Sequence, residues 1–257
     1  MLSSAELKEF ARGLRLDLIG IAEADNVPTS HPPRTAAVVL PEARSVIVYG
    51  LALFSGVFHT PITRVAFYNT LAVDRQLEEA GYQIARFIER HGHVAVIVPS
   101  APLEMSKETR GLVADISLKQ AGVTAGLGVW GRSHLLVTPQ WGPRVRLGGI
   151  VSDAPLEADR PRDEDLCREC TLCIDSCPAA ALAPEGKVDV IKCLLHLQKH
   201  GLAAFSRFLA DLLAKPEEEQ KKSLRDPYFW NLYQTIRFGG TTYDCYDCAR
   251  VCPAGCS

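Results

Sequence analysis

The chain has 257 residues, 47% hydrophobic and 23% charged, with a formal net charge of −2. This suits one large globular domain, or one domain with a small appendage, and excludes a disordered, collagenous or coiled-coil chain. The balanced charge gives no footprint for nucleic acid, the longest apolar run (46–54) falls far short of the roughly 20 residues of a membrane span, and MLSSAELKEF lacks the apolar core of a signal peptide. A cytoplasmic protein without nucleic-acid or membrane partners is expected.

Ser3 and Glu6 spell a capping box for a helix over residues 4–14. DLIGIA (17–22) and SVIVYGLALF (45–54) read as buried strands, joined by a loop carrying Pro28, Pro32 and Pro33. Over 65–90, Phe67, Leu71, Leu77, Ala80, Ile84, Phe87 and Ile88 recur at helical spacing and form a core-facing stripe. Residues 93–99 predict a strand, 112–124 a helix, and 133–138 and 144–153 two further strands, so the first 160 residues read as alternating α/β. Gly126-Leu-Gly128-Val-Trp-Gly131 matches G-x-G-x-x-G, but a helical pattern precedes it and a strand follows. That inverts the dinucleotide-binding context and suggests instead a glycine-rich turn that lets a bulky ligand approach the backbone. Residues 188–238 read as helical, with PEEEQKKSLRDP solvated and the aromatics of DPYFWNLYQ packed beneath the cysteine-rich part.

All nine cysteines lie between Cys167 and Cys256. A disulfide scaffold suits a secreted chain and an even count, and structural zinc suits two separated C-x2-C pairs. Cys167-x2-Cys170-x2-Cys173-x3-Cys177-Pro178 is instead the bacterial ferredoxin signature, in which three thiolates bind one [4Fe–4S] cubane and the fourth binds another. The second motif, Cys245-x2-Cys248-x3-Cys252-Pro253, lacks a middle cysteine. Exchange of the last cysteines gives one cluster Cys167, Cys170, Cys173 and Cys252, and the other Cys177, Cys245 and Cys248. Cys193 and Cys256 compete for the remaining position. Cys193, which opens the apolar CLLHLQ segment, is preferred, and Cys256 is a free thiol near a fraying end.

From SLKQAGVTAGLGVWGRSHLLVTPQWGPRVRLGGIVSDAPLEADRP into the first cysteine motif, the chain resembles the cobalamin-dependent epoxyqueuosine reductase and reductive dehalogenase superfamily. AGLGVWGR…LLVTPQWGPRVRL is closer to the dehalogenases, whereas Cys193 followed by YDCYDCARVCP, LRLDLIGIA and LPEARSVIV are closer to the reductases. The resemblance implies an α+β fold, with a nitroreductase-like α/β corrinoid-binding domain over 1–160. A ferredoxin-like module with two [4Fe–4S] clusters would follow over 161–257, with a helical insert at 188–238. It implies that Arg64, Gly128, Arg132, Ser133, His134, Leu135, Gln140 and Trp141 surround a base-off cobalamin. No D-x-H-x-x-G stretch for a histidine-ligated corrinoid occurs. The reductases' acidic proton donor falls on Leu112 in a gapless match, with Asp115 and Glu104 nearby, and Tyr68 beside Arg64 is the counterpart of the dehalogenases' tyrosine. A core tyrosine and a surface histidine are the ordinary alternatives for Tyr68 and His134. The chain ends shortly after Cys252-Pro253, where the reductases continue into tRNA-binding helical repeats.

Two activities follow from the resemblance. One is an iron–sulfur, cobalamin-dependent reductase that cleaves a small substrate with electrons from a low-potential donor such as a ferredoxin or flavodoxin. The other is an electron-transfer protein, or a reductive activator of a partner corrinoid protein.

Overall fold

The computed structural model describes residues 2–27, 35–100, 104–106, 111–239 and 243–255. Both halves of the capping box form: the Ser3 hydroxyl accepts from the Glu6 N–H, and the Glu6 carboxylate accepts from the Ser3 N–H, opening α1 (Ser4–Gly13). Then follow β1 (Leu18–Glu23), a 3₁₀ turn (Ala24–Asn26), α2 (Ala36–Val39), β2 (Ser45–Ala52), α3 (Ser55–His59), α4 (Thr63–Arg90) and β3 (Ala95–Val98). Pro28, Pro32 and Pro33 lie outside the described residues.

The sheet order is β1-β2-β8-β3, where β8 is Val145–Ser152, and every pairing is antiparallel. The α/β alternation of the sequence is therefore realised as an α+β fold with an antiparallel sheet rather than parallel crossover units. Ile47 pairs with Ile150 at its centre. Strand side chains alternate between faces, and β2 shows the result. Ile47 and Tyr49 enter a core with α1 and α4, whereas Val46 and Val48 enter a second core on the opposite face. Both faces being covered explains the unbroken apolar run of β2.

Residues 112–124 do not form one helix. A strand, β5 (Gly111–Val113), pairs with β4 (Glu104–Ser106), and the helix α5 (Leu118–Thr124) begins only after Ser117, whose hydroxyl accepts from the Gln120 N–H at 3.4 Å. The strand expected over 133–138 shrinks to β7 (Leu136–Val137), paired with β6 (Val129–Trp130). Gly131–Leu135 is a turn closed by Gly131 N–H to Leu135 O at 3.0 Å, with His134 left-handed at φ 57°.

Tyr49 fixes the spacing between sheet and helix. A Cβ at Gly148 of β8 would strike its ring, and one at Gly81 of α4 would strike its hydroxyl. Gly148→Ala is expected to cost about 1–3 kcal/mol through overpacking. Equilibrium urea unfolding checks this, and an unchanged midpoint would refute the tight fit.

Beyond β8 come α6 (Leu172–Asp175), α7 (Val190–Leu197), α8 (Gly201–Leu213), α9 (Glu217–Leu224), α10 (Pro227–Gly239) and α11 (Asp247–Arg250). Phe205 and Phe208 of α8 meet Phe229 of α10 at 6.4 and 5.8 Å between ring centroids. The other DPYFWNLYQ aromatics do not pack beneath the cysteines: Tyr228, Trp230 and Tyr233 are exposed. Among the described residues, no helix is long and apolar enough to cross a membrane.

Candidate functional site

The first cysteine segment is built on a tight loop. The Asp165 carboxylate accepts from the N–H groups of Cys167 at 3.1 Å and Arg168 at 2.7 Å, and the Cys170 N–H donates to Cys167 O at 2.9 Å. Cys173 lies on α6, and Cys177 closes the segment, its sulfur accepting from the Ala181 N–H at 3.4 Å. Cys193 sits inside α7, which begins at Asp189, whose carboxylate accepts from the Lys192 N–H. Cys248 lies on α11, between Cys245 and Cys252.

All eight described cysteines are half-buried, and none of them is in a disulfide; Cys256 lies outside the described residues. Their mutual electrostatics link the two cysteine motifs and Cys193. Burial pushes the Cys173 thiol pKa up, and Cys167, Cys252 and Cys170 push it further. Burial raises Cys193, with Cys177 adding to the rise and Lys119 opposing it. Cys245 is pushed up to about 11, first by burial and in smaller part by Cys193. Cys248 is pushed up to about 12 by burial, then by Cys245, Cys173, Cys193 and Cys177. Cys173 and Cys252 each feel Cys167 and Cys170, Cys193 feels Cys177, and Cys248 feels Cys245, then Cys173, then Cys193 and Cys177; α11, which carries Cys248, packs on α6, which carries Cys173. One nitrogen of His196, the Cys245 sulfur and one Asp247 carboxylate oxygen also lie within 4.8 Å of one another.

Several bonds fasten these segments to the sheet side of the molecule. Arg144, just before β8, donates to Ala249 O at 3.1 Å, to Cys252 O at 2.8 Å and to Ala254 O. Arg146, two residues on and facing the same way, holds Asp74 of α4 through two bonds at 2.8 and 3.0 Å and reaches Asp244 at 3.4 Å. Burial raises the Asp244 carboxyl, and Arg146 opposes that rise. The hydroxyls of Thr70 and Tyr246 meet at 2.8 Å, and Arg250 donates to Phe58 O at 2.9 Å. A satellite core of Val57, Phe58, Ala66, Tyr246 and Ala249 completes the joint. Sequence reasoning assigned no role to Arg144, Arg146, Asp74 or Lys119. The only signal was the alternate spacing of two arginines in GPRVRL.

The glycine-rich turn lies against the cysteine loops. Arg132 donates to Arg168 O at 3.1 Å, and His134 Nε2 lies 2.6 Å from Gly186 O. Leu135 packs on the satellite core and Trp141 on the second core, Ser133 is half-buried, and Gln140 is exposed. The glycines do not open space for a ligand. A Cβ would strike Arg160 O at Gly126, Val137 O at Gly128 and the Val137 side chain at Gly131. The chain's own atoms occupy those flanks.

Arg64 and Tyr68 are exposed one turn apart on α4, so Tyr68 is not a core tyrosine. The Phe67, Thr70 and Asp74 face of the same helix meets Tyr243, Tyr246 and Arg146. Asp115 is exposed in the bend before α5. Glu104 and Leu112 lie in β4 and β5, and their side chains are outside the described residues.

No family model matches the chain. An epoxyqueuosine reductase of Bacillus cereus is 27% identical over 248 residues, spanning 91% of this chain and 53% of its own length. A tetrachloroethene reductive dehalogenase of Desulfitobacterium hafniense is 36% identical over 119 residues, 45% of this chain and 19% of its own. Among solved structures, a Bacillus subtilis epoxyqueuosine reductase shares the fold at TM-score 0.63 and 21% identity, over 98% of this chain and 65% of its own. A reductive dehalogenase whose structure concerns B12-dependent dehalogenation matches at 0.56 and 20%, over 88% of this chain and 36% of its own. The chain spans about half the length of the first of these relatives.

Proposed function

For a chain related to epoxyqueuosine reductases and reductive dehalogenases, we propose a cytoplasmic reductase holding two [4Fe–4S] clusters and a base-off corrinoid. The observation that carries this reading is that the two cysteine motifs pack together through α6 and α11, with the loop of the first bonded to the glycine-rich turn. Cys167, Cys170, Cys173 and Cys252 hold one cluster. Cys177, Cys193, Cys245 and Cys248 hold the other. Four thiolates match the ligand need of a cubane. Burial penalises a bare thiolate, and coordination to a cation reverses that penalty because a metal-bound thiol is deprotonated. The clusters supply one-electron transfer from a low-potential donor such as a ferredoxin or flavodoxin.

The 1–160 part is the corrinoid-binding domain and 161–257 the cluster module. Trp130 is exposed and leads into the turn that carries Arg132 and Ser133, offering an aromatic face and hydrogen-bonding groups for a large polar-edged ring, with Gln140 exposed farther along the chain. His134 is already engaged at Gly186 O, which suits a cofactor held without a protein histidine on its metal. When bound, the corrinoid supplies the low-valent cobalt for reductive cleavage of a small electrophile. Tyr68 with Arg64, Asp115 or Glu104 provides the proton. The 56% exposure of Tyr68 favours one further reading: an electron-transfer protein that reduces a partner's corrinoid without enclosing a substrate.

Electron paramagnetic resonance of the anaerobically reconstituted protein, titrated with cob(II)alamin, tests the proposal. Loss of the axial-nitrogen hyperfine splitting is the expected result. An unaltered free-cofactor spectrum beside two cluster signals would overturn corrinoid binding and support the electron-transfer reading.

A further inference from the structure

His196 lies in the last turn of α7, whereas Cys245 and Asp247 flank Tyr246, the residue that opens α11, so two segments far apart in the chain meet here. One nitrogen of the His196 ring, the Cys245 sulfur and one Asp247 carboxylate oxygen all lie within 4.8 Å of one another, and all three residues are half-buried. The sulfur and Asp247 Oδ2 stand 3.5 Å apart. Bond lengths to zinc of about 2.3 Å for sulfur and about 2.1 Å for a carboxylate oxygen put two ligands of one tetrahedral ion about 3.6 Å apart.

The carboxylate is held from behind. Its other oxygen, Oδ1, accepts from Arg250 Nη1 at 2.6 Å, and the same guanidinium donates through Nε to Phe58 O at 2.9 Å. Phe58 belongs to the satellite core, so Arg250 is tied to buried structure and fixes the oxygen that faces the sulfur. A ligating carboxylate is supported in this way in metal sites, by a hydrogen bond from a residue outside the ligand set. The residues on either side of Cys245 are fixed as well: Asp244 reaches Arg146, and the Tyr246 hydroxyl meets that of Thr70.

We propose that His196, Cys245 and Asp247 form a mononuclear site for a borderline divalent transition metal of the Zn2+ type. An imidazole nitrogen, a thiolate and a carboxylate oxygen suit such an ion, whereas Mg2+ and Ca2+ take oxygen ligands. On binding, the Cys245 thiol gives its proton to solvent and a sulfur–metal bond forms, with no change of oxidation state. Three protein ligands leave the fourth position to water. The site goes beyond the two-cluster reading, in which Cys245 is a cluster ligand and His196 and Asp247 have no part. A sulfur drawn into this tripod is not offered to an iron of a cubane. Zn2+ bound first therefore keeps the cluster of Cys177, Cys193, Cys245 and Cys248 from assembling, and that consequence alone rests on the two-cluster reading.

Titration of the reduced, metal-free full-length chain with Co2+, read by absorption and reversed by Zn2+, tests the site. The first equivalent should show tetrahedral d–d bands with charge transfer from a single thiolate. Affinity should fall about tenfold or more in His196→Ala and in Asp247→Asn, and about tenfold in Arg250→Met, which keeps all three ligands but releases the carboxylate. Cys167→Ala should bind as the wild type does. If His196→Ala loses its helical circular dichroism, His196→Leu provides the same comparison. Reconstitution of the Zn2+-loaded chain should take up about four irons in place of roughly eight on a two-cubane count, and His196→Ala should lift that block. A first equivalent with the charge transfer of three or four thiolates, insensitive to His196→Ala and Asp247→Asn, overturns the site and assigns the metal to cysteines alone. A full iron count with Zn2+ still bound overturns the exclusion. A wild-type chain that assembles no clusters overturns the two-cluster reading and leaves the Co2+ result standing.

Discussion

Cys193→Ala is expected to halve the iron bound by the reconstituted chain, from roughly eight atoms to about four on a two-cubane count. The proposed ligand set groups Cys193 with Cys177, Cys245 and Cys248, so its loss leaves three thiolates for one cubane and four for the other. Cys256→Ala should leave the full count. Iron and acid-labile sulfide analysis decides the matter. The reverse result, with Cys193 dispensable and Cys256 required, would remove Cys193 from the ligand set. An intermediate case is also informative. His196 and Asp247 lie close to Cys245, and if either fills the vacated position, Cys193→Ala retains more than half its iron with an altered spectrum. Cys193→Ala/His196→Ala should then fall to the half count.

Much of the frame was legible because it rests on local periodicity. The Ser3–Glu6 box, the stripe of α4 and the apolar run of β2 each carry their own signal within a few turns. The spacing of the cysteines was equally local, since a tight loop brings thiols together without help from the rest of the fold. The failures occurred where distant chain decides. A three-residue strand such as β5 is too short to show a period, and it merged with the helical pattern that follows. The antiparallel order brings β8 between β2 and β3, a relation no window can contain. The glycines of the AGLG turn looked open to a ligand, yet Arg160 and Val137 fill the space beside them. Arg144 and Arg146 were visible as an alternating pair on one strand face, but their partners lie about seventy residues before and a hundred after them.

Arg144→Met should lower stability by about 3 kcal/mol and make the Cys252-dependent cluster labile, because one guanidinium satisfies three carbonyls of the last cysteine segment. Methionine keeps the apolar stem and removes every donor, so Ala249 O, Cys252 O and Ala254 O each lose a partner. A Cβ on Gly142 would strike Ala254 O, and one on Gly255 would strike the backbone at Trp141 and Gly142, so the two segments touch main chain to main chain. Lysine should rescue only in part, since a single ammonium cannot reproduce a planar fork aimed at several acceptors. The two groups of thiols should respond unequally. The proposed ligand set groups Cys252 with Cys167, Cys170 and Cys173, so that cluster should lose its signal first during mild oxidation. The cluster on Cys177, Cys193, Cys245 and Cys248 has Arg146, Tyr246 and Thr70 to hold its strand of the joint and should persist longer. Denaturant unfolding and the decay of each cluster signal in air measure the two effects separately. Equal decay of both clusters, or stability unchanged from wild type, would show that the backbone contact alone holds Cys252 and that the guanidinium is incidental to it.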